Sequence, residues 1–350
     1  VRSEDAERLG YQLTQIGVSQ AGQGFDGDVK SGECVRIFTG APMPFGCDCV
    51  IMQEDTEKTK DDKIAFNEIG FKGKYVRPKG LDFNEGDCLI KKGTLLTARH
   101  IGLLCAMNIP WLDVYRRPRI AVLATGDELV MPGEAVSNDQ IISSNSLMLC
   151  AMIRALGGIA LNLGIARDNE NSLELMLNGA KGADLLITSG GISVGEYDLV
   201  RKVMGNNGLD IDVYRIAMKP GKPFMFGRLN GIPVMGLPGN PVSSYVTAFL
   251  FLRAALKKMS GRSFIMDQPI KAHLKGTLKE NGVRKEYARC VFSVDENETL
   301  HAIPYEKQDS SMLVNLSKCE GFIIRYPHED AKKDHDLVDV IRLDDGYLSI

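Results

Sequence analysis

Three turns rich in glycine and proline lie within one stretch of this chain. Their sequences are Thr188-Ser-Gly-Gly-Ile-Ser-Val-Gly-Glu-Tyr-Asp198, Met218-Lys-Pro-Gly-Lys-Pro-Phe224 and Gly236-Leu-Pro-Gly-Asn-Pro-Val-Ser243. Each turn follows a short apolar run that predicts a strand. We expect the turns to gather backbone N–H groups, helix N-termini and lysines along one edge of a sheet. Such an edge suits a multiply charged anion held together with a metal ion.

Acidic side chains accompany three of the predicted strand ends. Glu128 follows the apolar run 119–124, Asp168 follows 159–165, and Asp198 closes the first turn. Ionised carboxylates brought together repel one another, and a hard divalent cation such as Mg²⁺ relieves that repulsion. The sequence therefore predicts these three acids as metal ligands. The alternative is that each acid caps a helix, and this alternative is strongest for Asp198.

Cationic side chains surround the second turn. Lys219 and Lys222 bracket Pro220-Gly221, and Arg215 comes four residues before Lys219. If 211–218 is one strand, Arg215 and Lys219 lie on the same face of it. We predict an anion site there, and a surface turn with solvated lysines is the alternative. The chain lacks a G-x-G-x-x-G fingerprint, a P-loop and a Ser-His-Asp or Cys-His pattern, so anion and metal chemistry is favoured over covalent nucleophilic catalysis.

The composition limits the classes of protein to which the chain can belong. Its 350 residues are 44% apolar and 25% charged, with a net charge of −3. This balance argues against broad binding to nucleic acid. The longest apolar runs, such as Ala248–Leu252, are too short to cross a bilayer. The eight cysteines are scattered, which predicts buried thiols in a reducing cytoplasm. Because the chain begins with Val1, we expect it to be part of a longer protein.

The pattern of predicted elements changes along the chain. Residues 1–79 predict a β domain with strands at 34–38, 49–52 and 63–66 and a hairpin loop at 54–63. Residues 80–116 contain one helix at 98–108, capped by Thr97 and stopped by Pro110. Residues 117–264 alternate strands and helices, which predicts an α/β domain with a parallel-rich sheet. Residues 265–350 return to short strands and predict a small closed or half-closed β-barrel domain.

Several elements of the central domain bear directly on the turns. We predict a helix at 143–156 with Ser144 or Asn145 as its cap, a helix at 171–181, and a strand at 211–218. Asn230-Gly231 predicts a hairpin between strands at 224–227 and 232–235. Asn240 and Pro241 predict the N-cap and first residue of a helix that runs to about residue 258.

Taken together, these motifs closely resemble the molybdopterin molybdenumtransferases, the family of MoeA and the gephyrin E domain, over nearly the whole chain. The resemblance rests on Arg36-Ile-Phe-Thr-Gly-Ala-Pro42 with Met52-Gln-Glu54, Lys79-Gly-Leu-Asp82, Ala124-Thr-Gly-Asp-Glu-Leu129, Ser189-Gly-Gly-Ile-Ser-Val-Gly-Glu-Tyr-Asp198, Lys219-Pro-Gly-Lys-Pro223 and Gly236-Leu-Pro-Gly-Asn-Pro-Val-Ser243. It implies Mg²⁺-dependent insertion of molybdate into adenylylated molybdopterin with release of AMP. It also implies a homodimer, with 117–264 as the molybdopterin-binding domain and 80–116 as part of a connecting and dimerisation domain.

The resemblance also assigns site residues. Carried over by position, the catalytic residues are Asp82, Glu128, Asp168, Asp198 and Lys219. The substrate-binding residues are Thr39, Thr125, Gly190, Gly191, Ser193, Arg215, Lys222, Pro238, Gly239 and Pro241. Arg215 departs from the family, which often has lysine there, and arginine offers a rigid fork rather than a point charge. Thr39 and Asp82 are expected to serve the cleft across the dimer, so dimerisation is expected to be required for activity.

Two other functions are compatible with the same motifs. The first is a molybdopterin adenylyltransferase, which carries out the preceding step, but those proteins are small single domains. It is also a possible protein partner of this chain. The second is a scaffold or receptor-anchoring protein of the gephyrin kind, which binds rather than catalyses. The acids and the lysine favour catalysis.

Overall fold

The chain forms two units, Val1–Leu89 and Ile90–Ile350. The structure, a computed structural model, describes residues 1–191, 203, 205, 208–262 and 268–343. Within these residues, every helix is too short or too polar to cross a membrane.

The first unit is built on a four-stranded sheet. Its strands are β1 (Gln12–Ser19), β2 (Glu33–Ile37), β3 (Thr56–Lys58) and β4 (Ile64–Phe66), in the order β2-β1-β4-β3. Strand β1 runs parallel to β2 and antiparallel to β4. A short helix α1 (Ser3–Ala6) and a 3-10 helix (Gln53–Asp55) complete the unit. Leu13 and Phe66 lie at the centre of its core.

Two sequence predictions in this unit are wrong. Residues 49–52 are irregular because their backbone N–H groups bond to loops rather than to a strand; Cys49 donates to the Val1 carbonyl and Val50 to the Lys74 carbonyl. The predicted loop at 54–63 contains strand β3, and only its end forms the turn. The Thr59 N–H donates to the Lys63 carbonyl across that turn at 2.8 Å.

The second unit begins with helix α2 (Ala98–Ala106). The prediction of a helix here is confirmed, and Thr97 is its N-cap. The Thr97 N–H donates to His100 Nδ1 at 3.1 Å, which closes a capping box. The helix ends two residues earlier than expected because Asn108 adopts a left-handed conformation with φ of 56°.

A six-stranded sheet forms the centre of the second unit. Its strands are β5 (Arg119–Thr125), β8 (Ile159–Ala166), β9 (Leu185–Ser189), β10 (Leu209–Tyr214), β12 (Met225–Leu229) and β13 (Ile232–Leu237). Three short strands lie outside this sheet: β6 (Leu129–Val130) pairs with β7 (Ile141–Ile142), and β11 (Met218–Lys219) pairs with the C-terminal barrel. The order is β10-β12-β13-β9-β5-β8. Strands β13, β9, β5 and β8 are mutually parallel, and β12 is antiparallel to both its neighbours. The predicted parallel-rich sheet and the Asn230-Gly231 hairpin are confirmed.

Helices cover both faces of this sheet. They are α3 (Asn145–Ala155), α4 (Glu170–Asn178), α5 (Pro241–Thr247) and α6 (Arg253–Met259), and a π-helical segment (Ala248–Leu252) joins α5 to α6. Alternate residues of β5 point to opposite faces, as a strand requires. Ile120 and Val122 pack with α3, α5 and α6, whereas Ala121 and Leu123 pack with α4.

The predicted strand at 211–218 is wrong in its second half. Strand β10 ends at Tyr214, and Arg215 leaves the sheet with φ of 67°. The Arg215 N–H then donates to the Phe224 carbonyl at 2.8 Å, which closes a loop. Strand β11 pairs instead with the C-terminal barrel, where Lys219 is the register partner of Glu286. Arg215 and Lys219 therefore do not share a strand face.

The C-terminal strands close on themselves, which confirms the predicted barrel. They are β14 (Ile270–Leu274), β15 (Lys285–Val294), β16 (Leu300–Pro304), β17 (Gly321–Arg325) and β18 (Leu337–Arg342), with helix α7 (Leu313–Ser317) between β16 and β17. The order β15-β16-β14-β18-β17 is completed by pairing of β17 with β15. Closure leaves no free edge within the ring.

The barrel and the α/β sheet share one hydrophobic core. Phe322 of β17 meets Phe249 of the π-helical segment edge to face, with ring centroids 5.7 Å apart. Tyr287, Leu316 and Ile324 of the barrel belong to the same buried cluster as the sheet residues Ile187 and Leu237. The two parts are therefore fixed against each other.

Candidate active site

The carboxyl ends of five parallel-directed strands meet along one edge of the central sheet. Strands β13, β9, β5 and β8 end there, and β10 runs in the same direction because β12 is antiparallel to both β10 and β13. Ligands of open α/β sheets bind beyond this kind of edge. The edge carries Thr125, Ser189 and Leu237 as the last strand residues, each followed by a turn with glycine.

Gly190 brings two of these turns into contact. Its N–H donates to the Leu237 carbonyl at 3.2 Å. Its φ is +93°, and a Cβ at this position would lie 2.7 Å from the Thr125 carbonyl oxygen. Only glycine fits such a position without strain. Glycine at this position therefore lets the ends of β5, β9 and β13 pack closely together.

Asn145, the first residue of α3, ties the two turns together. Its Nδ2 donates to Ser189 Oγ at 3.0 Å and to the Gly239 carbonyl at 2.6 Å. The predicted N-cap at Ser144 or Asn145 is confirmed at Ser144. Ser144 occupies the cap position without a side-chain cap bond, and Asn145 lies within the helix and reaches the sheet edge.

Buried polar atoms without a partner collect at the same edge. Thr125 Oγ1, Thr188 Oγ1 and Asn145 Oδ1 are inaccessible to solvent and have no hydrogen-bond partner among the described residues. Buried hydroxyl and amide groups are normally satisfied. Their concentration beside Gly190 indicates groups prepared for a ligand.

Two of the three acids predicted as metal ligands, Glu128 and Asp168, lie at the ends of β5 and β8. Asp127 Oδ1 accepts the Asp168 backbone N–H at 3.0 Å, which places the two strand ends side by side. Arg167 Nη1 donates to the Asp127 carbonyl at 3.0 Å and supports the same loop. Glu128 and Asp168 are exposed. The cap of α4 is Asn169, whose side chain accepts the Ser172 N–H, so Asp168 is not a helix cap.

The lysine turn packs against α5 on the other side of the site. A Cβ on Gly221 would lie 2.6 Å from Thr247 Cγ2, so glycine permits the turn to rest on this helix. Lys222 is exposed. Lys219 Nζ forms an ion pair with Glu286 Oε1 of the barrel at 2.8 Å. Arg215 is also exposed, and its guanidinium lies 5.1 Å from the centroid of the Tyr214 ring.

The barrel holds the start of α5 in place. Asn240 Nδ2 donates to Ser310 Oγ at 2.9 Å, and the Val242 N–H donates to the Ser310 carbonyl at 3.0 Å. Asn240 is the N-cap residue, as predicted, but its side chain does not cap the helix. The loop that carries Ser310 is held by Arg289, which is 1% exposed and donates to the Asp309 and Met312 carbonyls. Burial lowers the pKa of this guanidinium.

The described residues bring part of the predicted site together. Thr125, Gly190, Gly191, Pro238 and Gly239 lie at the sheet edge, and Pro241 starts α5 beside it. Ser193 and Asp198 lie outside the described residues. Thr39 and Asp82 are exposed residues of the first unit. These assignments stay predictions, and the described residues contain no group of three or more His, Cys, Asp or Glu side chains arranged to hold a metal.

Sequence reasoning missed four residues that build this site. Asn145 had been interpreted only as a possible cap, and Asp127 was passed over in favour of Glu128. Ser310 and Arg289 gave no signal because they lie in the barrel, far along the chain. Their importance depends on tertiary packing, which a local motif does not contain.

Three protein families match the chain in order. The MoeA N-terminal region (domain I and II) matches residues 1–108, the probable molybdopterin binding domain matches 121–258, and the MoeA C-terminal region (domain IV) matches 271–343. The second match covers the sheet edge described above, and the third covers the barrel.

Individual relatives agree with these matches. A molybdopterin molybdenumtransferase of Haemophilus influenzae is 34% identical over 93% of this chain and 80% of its own length. Gephyrin of Dictyostelium discoideum is 31% identical over 83% of this chain and 45% of its own length. The crystal structure of a molybdopterin biosynthesis MoeA protein from Pyrococcus horikosii superposes with a TM-score of 0.81 at 31% identity, covering 98% of this chain and 85% of that one. The chain therefore belongs to the molybdopterin molybdenumtransferase (MoeA) family of enzymes, which act in molybdenum cofactor biosynthesis.

Proposed function

We propose that this enzyme inserts molybdate into adenylylated molybdopterin and releases AMP, with Mg²⁺ as its cofactor, as a homodimer in the cytoplasm. The observation that carries the proposal is the set of buried, unpartnered polar atoms at Thr125, Thr188 and Asn145 beside the Gly190 turn. A pterin phosphate is rich in acceptors and donors that can satisfy such atoms. The strand ends beside Gly190 are the edge at which open α/β sheets bind their ligands.

The cations of the lysine turn account for binding of molybdate, a tetrahedral dianion. Lys222 has no ion-pair partner among the described residues, so its charge is available for a ligand. Lys219 is held by Glu286, which fixes its ammonium group and offsets part of its charge. Charge-assisted hydrogen bonds to an oxyanion are about twice as strong as neutral ones. We therefore assign direct capture of molybdate to Lys222 and a positioning role to Lys219.

The acidic residues at the ends of β5 and β8 fit Mg²⁺ by the chemistry of their donors. Carboxylate oxygens are its preferred protein ligands, and Glu128 and Asp168 supply them, with Asp198 as the third proposed ligand. Bound Mg²⁺ neutralises negative charge on the phosphate group. Asp127 accepts the Asp168 N–H and so helps to fix the position of Asp168.

The direct test is turnover of adenylylated molybdopterin with molybdate, with and without Mg²⁺, following AMP release. We expect Asp168→Asn and Asp198→Asn to abolish Mg²⁺-dependent turnover while the fold is retained. Asp212→Asn is the matched control, because Asp212 is an exposed acid in the middle of β10. Near-normal turnover by both site variants would contradict the proposed metal role.

A second comparison tests the division of labour between the lysines. We expect Lys222→Ala to raise the molybdate concentration needed for half-maximal turnover more than Lys219→Ala does. Recovery of the Lys222 variant at high molybdate supports anion capture, and failure to recover at any concentration contradicts it.

If the enzyme instead adenylylates molybdopterin from ATP and fails to use the adenylylated form, the adenylyltransferase alternative replaces this proposal.

A further inference from the structure

Two side chains join the ends of strands β5 and β8, and they cross between the strands in opposite directions. Asp127, just beyond β5, accepts the Asp168 backbone N–H on its Oδ1 at 3.0 Å. Arg167, just beyond β8, reaches back to the loop after β5. Its Nη1 donates to the Asp127 carbonyl at 3.0 Å and to the Leu129 carbonyl at 3.2 Å. We call these hydrogen bonds the brace, because each strand end holds the loop of the other.

The carbonyl groups that Arg167 binds are the two on either side of Glu128. The Glu128 carbonyl itself accepts the Ile141 N–H at 2.7 Å, where β6 pairs with β7. Three successive carbonyl groups of this loop are therefore bonded, two by one guanidinium and one by the next strand. A side chain is held in a precise place when the groups around it are fixed in this way.

The Glu128 side chain is folded back over the end of β5. A Cβ added to Gly126 would lie 2.6 Å from Glu128 Cδ, and the φ of Gly126 is 146°. Glycine is needed at residue 126 both for this backbone conformation and for the space that the carboxyl group occupies. The acid therefore lies against the residue that follows Thr125, at the edge of the sheet.

The brace is also anchored where it begins. The Arg167 backbone N–H donates to Ser172 Oγ of α4 at 3.0 Å. The Ser172 N–H in turn donates to Asn169, the N-cap of the same helix, at 2.8 Å. The main chain of Arg167 is thus fixed to α4, and its guanidinium is fixed to the loop that carries Glu128.

We propose that Arg167 is a positioning residue, which holds Glu128 where it serves the reaction. The proposal rests on the function proposed above, in which Glu128 and Asp168 supply oxygen ligands to Mg²⁺. Mg²⁺ demands near-ideal octahedral geometry, so the spacing of the two acids sets how well it binds. Arg167 acts on that spacing through main-chain carbonyl groups. Direct binding of the substrate phosphate by its guanidinium is the alternative role.

Three variants test this role. Arg167→Met removes both hydrogen bonds and keeps an unbranched side chain. Arg167→Lys keeps a charged nitrogen that can donate to both carbonyl groups, because one nitrogen makes both bonds in arginine. Arg154→Met is the matched control, since Arg154 is also an exposed arginine but lies in the last turn of α3, at the opposite end of that helix from Asn145. Arg167 is exposed as well, so we expect every variant to fold.

Two measurements are made on each variant. The first is turnover of adenylylated molybdopterin as a function of Mg²⁺ concentration. We expect Arg167→Met to need about tenfold more Mg²⁺ for half-maximal turnover, while kcat at saturating Mg²⁺ and the KM for the pterin substrate change by less than about twofold. Arg167→Lys should recover most of the loss, and Arg154→Met should behave as the unaltered enzyme.

The second measurement is hydrogen exchange in the protein without added metal. Amides at 126–130 and 141 should exchange faster in Arg167→Met than in Arg154→Met, and equal exchange in the two overturns the proposal. So does an unchanged Mg²⁺ requirement in Arg167→Met, because the brace would then be structural alone. A raised KM for the pterin substrate at an unchanged Mg²⁺ requirement assigns Arg167 to substrate binding instead. Failure of the proposed function is a separate outcome, because it appears as absent Mg²⁺-dependent turnover in the unaltered enzyme.

Discussion

Replacing Asn145 tests whether the sheet edge is organised by this one side chain. Asn145→Ala removes two hydrogen bonds, one to Ser189 Oγ and one to the Gly239 carbonyl. At about 0.5–1.5 kcal/mol for each bond, the free energy of unfolding should fall by roughly 1–3 kcal/mol. Asn145→Asp has the same shape but cannot donate, and it brings a carboxylate against the Gly239 carbonyl oxygen. We therefore expect the aspartate variant to be less stable than the alanine variant.

Urea unfolding of the two variants measures this difference, and hydrogen exchange at residues 185–190 and 236–239 locates it. In both variants these amides should exchange faster than in the unaltered protein. Turnover should show a KM for the pterin substrate that rises by up to about tenfold for each 1.4 kcal/mol of lost positioning energy. Equal stability of Asn145→Asp and the unaltered protein would refute the reasoning, because it would mean that the two donor bonds contribute nothing.

Three further perturbations follow from the packing. In a thermal melt, Gly190→Ala should destabilise the protein by about 1–3 kcal/mol because residue 190 has a left-handed backbone conformation. Gly239→Ala should be nearly neutral in the same melt, because the nearest atom to its Cβ would lie 3.8 Å away. Arg289→Ala should cost about 2–4 kcal/mol in chemical denaturation, since it removes the buried hydrogen bonds of the guanidinium to the Asp309 and Met312 carbonyls and to Gln308 Oε1, and a loss below 1 kcal/mol would contradict its buried bonding role. The hydrogen bond to His301 lowers the pKa of Asp295 to about 2 in the folded protein. The ionised Asp295 carboxylate therefore stabilises the fold above the pKa of about 4 that it has in the unfolded chain, and this stability is lost as pH falls through the folded pKa. Asp295→Asn should flatten the decline in stability between about pH 4 and 2, and an unchanged acid profile would count against it.

The architecture was accessible from sequence because its signals are local. Alternating apolar strands and helices predicted the central sheet, and Asn230-Gly231 predicted the hairpin between β12 and β13. Short strands predicted the barrel, although not the partner that closes it. These signals depend on the backbone conformation and burial of neighbouring residues.

The failures came where the partner of a segment is distant. Residues 211–218 have the apolar content of one strand, yet the chain divides them between two sheets at Arg215. The ion pair of Lys219 with Glu286 was not indicated by any local pattern, because it depends on a barrel strand 67 positions later in the sequence. Asn145 illustrates the same limit, since a polar residue at a helix start is usually a cap. Nothing adjacent to it in sequence indicates the turns that it joins.

The common core of the barrel and the central sheet has a consequence for experiments on fragments. Ending the chain after α6 would expose Phe249 and neighbouring apolar side chains that Phe322 now covers. Such a truncated protein should aggregate and be poorly soluble, and it should not be an active enzyme. The two parts therefore depend on each other for stability, because each covers an apolar surface of the other.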